Sequence, residues 1–196
     1  MNPSGRHEVG SAEATDADEL AAVAAATFPL ACPPTSPPDE IAAFIAAHLS
    51  RERFVDYLAD PSRTVLTARD RGTIVGYAVL VDGVGDDPDV ARAVTIRPAV
   101  ELSKIYVLAD NHGSGAAAAL MAAAADRAAG TGARCLWLGV NQKNERAQRF
   151  YTKGGFRIAG TKTFHLGAHT EHDFVMVRTL RSDALRGLAP GLAVGP

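Results

Sequence analysis

The stretch NHGSGAAAALM, residues 111–121, decides the fold of this 196-residue chain. Residue types predict a β-strand before it, over residues 101–107, and a long helix after it, over residues 116–129. Between them, Gly113 and Gly115 permit positive φ values and let a ligand approach the backbone closely. The N–H groups of the helix's first turn lack intrahelical acceptors, and together with the helix dipole they favour an anion. The stretch therefore predicts a strand–turn–helix unit suited to a phosphate group.

The elements predicted on either side extend this unit into a complete fold. After it come a buried strand over 134–140, a short helix over 144–153 and two final strands over 156–164 and 173–180. Before it come a strand over 7–13, helices starting near Asp16, Asp39 and Ser50, and a hairpin of strands over 63–69 and 73–81. The segment 82–98 is expected to be an irregular acidic loop or hairpin tip.

This order of elements predicts an α/β (α+β) fold with a mixed, mainly antiparallel sheet of about seven strands flanked by helices. One parallel crossover is expected, across the helix that follows Gly115. We predict a single domain over residues 1–180 and a mobile C-terminal tail over residues 181–196.

The composition narrows the class of protein. Apolar residues make up 47% of the chain, charged residues 21%, and the net charge is −2. Such a balance is typical of a globular protein in water and argues against a general nucleic-acid binder, which needs a basic face. The longest apolar run is too short to span a bilayer, and the N-terminus lacks the apolar region of a secretory signal. Cys32 and Cys135 make no disulfide framework, so a cytoplasmic protein with reduced thiols is expected.

Two other phosphate-binding motifs fit the glycine turn poorly. Gly113-x-Gly115-x-x-Ala118 matches the loose dinucleotide fingerprint, which also requires a carboxylate at the end of the next strand. That strand ends at Gly139-Val140-Asn141, and none of these three residues carries a carboxylate. A P-loop requires Gly-Lys-Ser/Thr, which does not occur in the chain.

The segment WLGVNQKNERAQRFYTKGGF, residues 137–156, carries a more specific pattern. Asn144 and Tyr151 are seven residues apart, about two helical turns, and so lie on one face of the short helix. With them the segment matches the pattern Asn-x-x-Ala-x-x-Phe-Tyr-x-x-x-Gly-Phe of the GCN5-related N-acetyltransferases, the GNAT family, at Asn144, Ala147, Phe150, Tyr151, Gly155 and Phe156. The chain resembles this family over residues 7–180. It is most similar to bacterial Pai-type spermidine/spermine acetyltransferases in Ile105-Tyr106-Val107, Trp137-Leu138-Gly139-Val140 and Asn144-Glu145-Arg146-Ala147.

The resemblance implies transfer of an acetyl group from acetyl-CoA to an amine. The strand Ile105, Tyr106 and Val107 would pair with the pantetheine arm, the glycine loop would cradle the pyrophosphate, and Asn144 would hydrogen-bond the arm. The residues so assigned to the cosubstrate are Ile105, Tyr106, Val107, His112, Gly113, Ser114, Gly115, Ala116, Ala117 and Asn144. His112 stands where the family has Gln or Arg, and Ala116 and Ala117 stand where it has a branched residue and Gly. Backbone N–H groups do most of the phosphate binding, so the loop is still expected to bind.

Two residues are candidates for proton transfer. Tyr151 is the candidate general acid, because tyrosine (pKa about 10) can donate to a leaving thiolate (pKa of the thiol about 8.5). Glu101 is the candidate base for the acceptor amine, and its alternative is a solvated carboxylate at the strand end. On a regular strand, Glu101 would share a face with Ser103, Ile105 and Val107, but a β-bulge is expected near the active site and could shift that.

The acceptor is expected to be a small, polyamine-like primary amine. The acidic side chains expected to frame its site are Glu52, Asp56 and Asp82, with Asp86, Asp87 and Asp89 beside them. His165, His169 and His172 match no metal-site spacing and are expected in a solvated loop, so no metal is predicted. The alternatives left open are a protein lysine or N-terminal acetyltransferase and a non-catalytic acetyl-CoA sensor. The resemblance also implies that a homodimer can form through sheet edges.

Overall fold

The computed structural model of the chain describes residues 7–32, 35–166 and 169–180. In these ranges one sheet is built from seven strands, namely β1 (Glu8–Ser11), β2 (Arg63–Asp70), β3 (Thr73–Asp82), β4 (Ala99–Val107), β5 (Cys135–Asn141), β6 (Arg157–Leu166) and β7 (His169–Thr179). Their order is β1-β2-β3-β4-β5-β7-β6. All neighbours are antiparallel except β4 and β5, which are parallel. The predicted fold class, a mixed and mainly antiparallel sheet flanked by helices, is confirmed.

Helices cover both faces of this sheet. They are α1 (Ala17–Thr27), α2 (Pro38–His48), α3 (Arg51–Ala59), α4 (Pro88–Ala93), α5 (Ala116–Gly130) and α6 (Glu145–Lys153). On one face Leu120 and Met121 of α5 belong to the core cluster of the central strands. On the other face Leu20 of α1 and Phe54 of α3 pack with Tyr77 of β3. None of the described helices has both the length and the hydropathy needed to cross a membrane.

The segment 82–98 contains a helix that the sequence analysis treated as irregular. Pro88 occupies the first turn of α4, and the side chain of Asp87 caps it by accepting from the N–H groups of Asp89 and Val90. Val90 and Val94 are buried in a third apolar cluster with Trp137. An Asp-Pro pair followed by apolar residues at helical spacing is a helix start, and it outweighed the acidic, glycine-containing composition of the segment.

Strand β4 carries a bulge that decides where Glu101 points. Its pairing with β3 shifts between Leu102 and Lys104, which leaves Ser103 as the extra residue. Before the bulge Val100 and Leu102 belong to the α5 cluster, and beyond it Val107 belongs to the same cluster with Ile105 packed against it. The bulge expected near the active site is therefore present, and Glu101 shares the opposite face with Lys104 and Tyr106 instead of lying with Ile105 and Val107 as it would on a regular strand. The extra residue inverts the alternation of faces along the strand.

Strands β4 and β5 separate soon after they meet. Their parallel pairing covers Ala99 with Cys135, Val100 with Leu136 and Glu101 with Trp137. Beyond Glu101, β4 remains paired with β3 as far as Val107, whereas β5 pairs with β7 as far as Asn141. A gap thus opens inside the sheet, and Glu101 lies at its apex.

The end of the chain differs from the prediction in one respect. His169 and His172 lie in strand β7 and His165 lies in β6, so the backbone of these histidines is strand rather than loop. The predicted tail, residues 181–196, and the predicted loose start, residues 1–5, lie outside the described residues.

Replacing Tyr77 by phenylalanine is expected to stabilise the fold by about 1 kcal/mol, since a buried polar group without a partner opposes folding. The Tyr77 ring is completely buried, and no described residue hydrogen-bonds its hydroxyl. Burial also raises the pKa of this hydroxyl well above its ordinary value. The urea midpoint of unfolding measures the change. A lower midpoint for Tyr77→Phe would mean that the hydroxyl has a favourable partner and would contradict the prediction.

Candidate active site

A cavity of about 680 Å³ occupies the gap between β4 and β5. Its wall along β4 runs from Glu101 to Val107, and its opposite wall is formed by Gly139, Val140 and Asn141 of β5. The lining also includes the glycine turn, residues of α6 and charged side chains of β6 and β7. Of the residues proposed from the sequence, the lining includes Glu101, Ile105, Tyr106, Val107, His112, Gly113, Gly115, Ala117, Asn144 and Tyr151.

The glycine turn has the backbone conformation that its sequence suggested. Gly113 has φ +79° and Gly115 has φ +96°, and Gly115 directly precedes the first residue of α5. A Cβ atom at either glycine would meet no protein atom within 4 Å, so the space in front of both residues is open. The turn therefore presents backbone groups and the start of a 15-residue helix to the cavity, an arrangement that suits an anion.

Two residues of the predicted loop, Ser114 and Ala116, stabilise the turn and do not line the cavity. The Ser114 hydroxyl accepts a hydrogen bond from the Ala116 N–H at 3.3 Å. The Ala116 side chain is fully buried in the core beneath the turn. Neither residue is among those that line the cavity. They shape the loop, whereas Gly113, Gly115 and Ala117 face the open space.

Helix α6 brings Tyr151 and Asn144 to the cavity. Tyr151 is half-buried between Phe150 and Phe156, with ring centroids 5.4 and 6.0 Å away. Burial raises the pKa of Tyr151 to about 12, so the phenol is protonated at neutral pH. The Asn144 Oδ1 accepts from the Ala147 N–H at 3.0 Å and caps the helix. That bond uses the side-chain oxygen of Asn144 and leaves the amide NH₂ as the group that can reach a ligand.

Carboxylates and lysines are both present among the side chains that line the cavity. Glu101, Glu171 and Asp173 line it together with Lys104 and Lys162. Burial raises the pKa of Glu101, against the opposing effect of the Lys162, Lys104 and Arg63 charges. Burial likewise raises the pKa of Asp173, which is only 8% exposed. It lowers the pKa of Lys104. Two carboxyl groups that hold protons more strongly than usual thus lie beside a lysine that releases its proton more readily.

The lack of a side chain at Gly139 leaves space for two of these charged side chains, those of Lys162 and Asp173. A Cβ atom at Gly139 would lie 2.6 Å from the Lys162 Cε and 3.3 Å from the Asp173 Oδ2. Only glycine leaves room for both side chains at this position. The Lys162 Nζ also lies 5.9 Å from the centre of the Trp137 ring.

Three acidic residues proposed for acceptor binding do not reach this cavity. Glu52 and Asp56 are exposed on α3, and Asp82 is exposed at the end of β3. Asp56 instead pairs with Arg53 at 3.4 Å. None of the three is among the lining residues. The carboxylates at the cavity are Glu101, Glu171 and Asp173, and the sequence analysis identified only the first of them as a site residue.

A histidine–arginine contact was also missed. The His112 Nε2 lies 3.0 Å from the Val107 carbonyl oxygen, and its Nδ1 lies 3.0 Å from Nη2 of Arg146. Both His112 and Arg146 line the cavity beside the glycine turn. The two residues are 34 positions apart, so no local spacing could have connected them. Among the described residues, no group of three or more histidine, cysteine or carboxylate side chains is arranged to hold a metal ion.

Comparison with known proteins agrees with this architecture. Residues 24–156 match the acetyltransferase (GNAT) family. Over 166 residues the chain is 61% identical to an uncharacterised N-acetyltransferase of Mycobacterium tuberculosis, and this match covers 85% of this chain and 99% of the relative. It is 25% identical over 166 residues to an uncharacterised N-acetyltransferase of Lactobacillus delbrueckii subsp. lactis, covering 84% and 92% of the two chains.

Solved structures share the fold at low sequence identity. The PaiA N-acetyltransferase of Thermoplasma acidophilum, in complex with coenzyme A, superposes with a TM-score of 0.70 at 19% identity, covering 88% of this chain and 98% of the other. The ribosomal-protein-S18-alanine N-acetyltransferase of Escherichia coli superposes with a TM-score of 0.65 at 18% identity, covering 93% of this chain and 99% of the other.

Taken with the fold and the cavity, these matches define the class of protein. The chain belongs to the GNAT family of acetyltransferases. It is an N-acetyltransferase, as are the relatives with which it shares most of its sequence.

Proposed function

We propose that the protein transfers the acetyl group of acetyl-CoA to a primary amine by direct attack of the amine on the thioester. One observation carries this proposal. A helix-start anion site, a protonated tyrosine and a partly buried glutamate all line one cavity, at the point where two parallel strands separate. Each of the three meets a separate requirement of the reaction: binding the phosphates, protonating the thiolate and accepting the proton of the amine.

The gap in the sheet suits the pantetheine arm of the cosubstrate. Beyond Glu101, β4 is paired with β3 and has no ladder partner on the β5 side within the described residues. An extended chain with amide groups can hydrogen-bond such an edge as an added strand does. Ile105, Tyr106 and Val107 would provide that edge, and the amide of Asn144 would hold the arm from the opposite side. The PaiA structure of the same fold is a complex with coenzyme A, which supports coenzyme A as the ligand of such a cavity.

The chemistry then divides between Glu101 and Tyr151. An alkylamine has a pKa near 10.4, so forming its neutral state at pH 7 costs about 4–5 kcal/mol, and a nearby base reduces that cost. Glu101 lies at the apex of the gap, and its raised pKa makes it a stronger base than an exposed glutamate. As the tetrahedral intermediate collapses, the Tyr151 hydroxyl donates its proton to the leaving sulfur.

For the acceptor we propose a small cationic amine of the polyamine type. The observation in favour is that three carboxylates, Glu101, Glu171 and Asp173, line the cavity together with Lys104 and Lys162, so a cationic amine has acidic partners there. Glu171 already pairs with Lys143 at 2.9 Å, so Glu101 and Asp173 are the carboxylates that we propose contact the amine. A protein amine is the second candidate, because the S18-alanine N-acetyltransferase has the same fold.

The first experiment measures thiol release from acetyl-CoA with spermidine, spermine, diamines, lysine peptides, N-terminal peptides and aminoglycosides. Turnover on one class identifies the acceptor. Calorimetric binding of acetyl-CoA with no turnover on any amine would overturn the catalytic proposal in favour of a sensor of acetyl-CoA.

Replacing Glu101 by glutamine is expected to lower kcat/KM at pH 7 by about 100-fold and to change the shape of the pH profile. Without a base only the amine that is already neutral reacts, so the rate should rise about tenfold per pH unit towards pH 10. The wild-type rate should instead fall as the pH drops through the raised pKa of Glu101, because its carboxylate is the active form. Glu8→Gln, an exposed glutamate on β1, is the control. Parallel profiles for the wild type and Glu101→Gln would rule out Glu101 as the base.

Two further predictions concern the oligomeric state and the cellular location of the protein. Strands β1 and β6 are the edges of the sheet, so we propose a homodimer that pairs through one of them, to be tested by light scattering after size-exclusion chromatography. A location in the cytoplasm remains a prediction from the sequence.

A further inference from the structure

A guanidinium group is held at the anion-binding end of the cavity by a histidine. The carbonyl oxygen of Val107 can only accept a hydrogen bond, so the His112 Nε2, 3.0 Å away, is the nitrogen that carries the hydrogen. The His112 Nδ1 is then an acceptor, and it receives an N–H from Arg146 at 3.0 Å. The partners of the ring thus fix its tautomer, and the ring in turn fixes the direction of the Arg146 side chain.

The hydrogen bonds of Arg146 leave most of its donors available. Arg149, one turn later on α6, forms an ion pair with Glu145 at 3.1 Å. Arg146 lies on the side of α6 that lines the cavity, and among the described residues it has no carboxylate within ion-pair distance. Arginine has five N–H donors in a fixed planar fork, and His112 takes one of them.

The neighbourhood of this free fork is built for an anion. Gly113 and Gly115 face the same part of the cavity with positive φ, and α5 starts directly behind them. A phosphate group at this point would meet backbone N–H groups from one side and the fork from the other, and phosphate is the ligand whose geometry the fork matches.

We propose that Arg146 binds a phosphate group of the cosubstrate and that His112 is a positioning residue, which acts by directing the Arg146 side chain. This inference rests on the proposed function, since it takes the glycine turn as the site of the coenzyme A phosphates. Coenzyme A carries two sources of this chemistry, the pyrophosphate and the 3′-phosphate of its ribose.

The test measures dissociation constants by calorimetry for coenzyme A, 3′-dephospho-coenzyme A and pantetheine. Arg146→Gln is expected to weaken coenzyme A binding by about 10- to 100-fold, the usual range for losing a charge-assisted contact. Pantetheine, which has no phosphate, should bind both proteins equally. Arg149→Gln, on the same helix and already paired with Glu145, should stay within about twofold of wild type. If dephospho-coenzyme A is weakened as much as coenzyme A, the contact is to the pyrophosphate; if it is unaffected, the contact is to the 3′-phosphate.

The positioning role of His112 has a separate readout. His112→Ala should weaken coenzyme A binding by about three- to tenfold. The double variant that combines His112→Ala with Arg146→Gln should bind coenzyme A no more weakly than Arg146→Gln alone, because His112 acts through Arg146. His112→Gln, whose side-chain oxygen can accept from Arg146, should recover part of the loss.

Three results would overturn the inference. They are wild-type affinity for coenzyme A in Arg146→Gln, an equal loss for pantetheine, and a full additional loss from His112→Ala in the Arg146→Gln background. A wild-type protein that binds coenzyme A through Arg146 but acetylates no amine would instead overturn the proposed function and leave this phosphate contact intact.

Discussion

Replacing Tyr151 by phenylalanine is expected to lower kcat by about 100-fold while leaving the KM for acetyl-CoA within about threefold of wild type. The change removes one hydroxyl and keeps the ring that packs between Phe150 and Phe156. The loss should therefore fall on the chemical step and not on binding. Single-turnover acetyl transfer, measured by rapid quench, separates the two.

The size of this effect follows from the pKa of Tyr151. Burial raises it to about 12, whereas a free thiol has a pKa of about 8.5, so complete proton transfer to a solvated thiolate would cost about 5 kcal/mol. The thiolate forms inside the same cavity, however, where desolvation raises its own pKa and reduces the mismatch. Tyr151 then acts by a hydrogen bond that strengthens as charge develops on sulfur. Because the phenol stays protonated below about pH 11, its titration should add no alkaline decline to the rate profile at lower pH.

Tyr77→Phe provides the matched control for Tyr151→Phe. It removes the same atom from a tyrosine that is completely buried and does not line the cavity. Its kcat should equal that of the wild type. A loss of less than about fivefold in Tyr151→Phe, or an equal loss in Tyr77→Phe, would contradict the assignment of Tyr151 as the acid.

Replacing Gly115 by alanine is expected to raise the dissociation constant of coenzyme A by at least about tenfold. At φ +96° a residue with a Cβ atom is strained by about 1–2 kcal/mol. The added methyl group would also stand in the open space that faces the cavity, where the phosphates need close contact with the backbone. Calorimetry with coenzyme A measures the effect on binding, and the urea midpoint measures the strain.

Gly72→Ala separates these two contributions. Gly72 has φ +85° in the hairpin turn between β2 and β3, has equally open space around it and lies outside the cavity. Both variants should lose similar stability, and only Gly115→Ala should lose affinity. Equal affinity in the two variants would show that the turn at Gly115 does not contact the cosubstrate.

The parts of the fold that sequence could predict are those specified by neighbouring residues. The unit from β4 through α5 is one of them, because two glycines followed by an alanine-rich run fix the turn and the helix locally. Tyr151 and Asn144 were identified through their resemblance to the GNAT pattern, which lies in one short segment, and their seven-residue spacing places both on one face.

The features that were missed depend on contacts between distant segments. A bulge was expected, but its position at Ser103 was not, because it depends on the register of β4 against β3; it puts Glu101 on the face of Lys104 and Tyr106. Asp173 reaches the cavity because β7 inserts between β5 and β6 in the sheet. Glu52 and Asp56 lie on a helix that packs its apolar stripe on the sheet, and so their carboxylates turn to solvent.

The divergence of β4 and β5 has a consequence for aggregation. A strand edge with unpaired backbone groups usually invites pairing with another protein chain. This edge lies in the interior of the sheet and faces β5 across the cavity, so a foreign β-strand with side chains on both faces cannot enter as easily as it could pair with an outer edge. A thin, flexible chain with amide groups and no side chains can. The unpaired backbone groups of this edge are therefore available to the ligand and shielded from other protein chains. The amides of β4 beyond Glu101 that do not bond to β3 should gain protection from hydrogen exchange only when that ligand is bound.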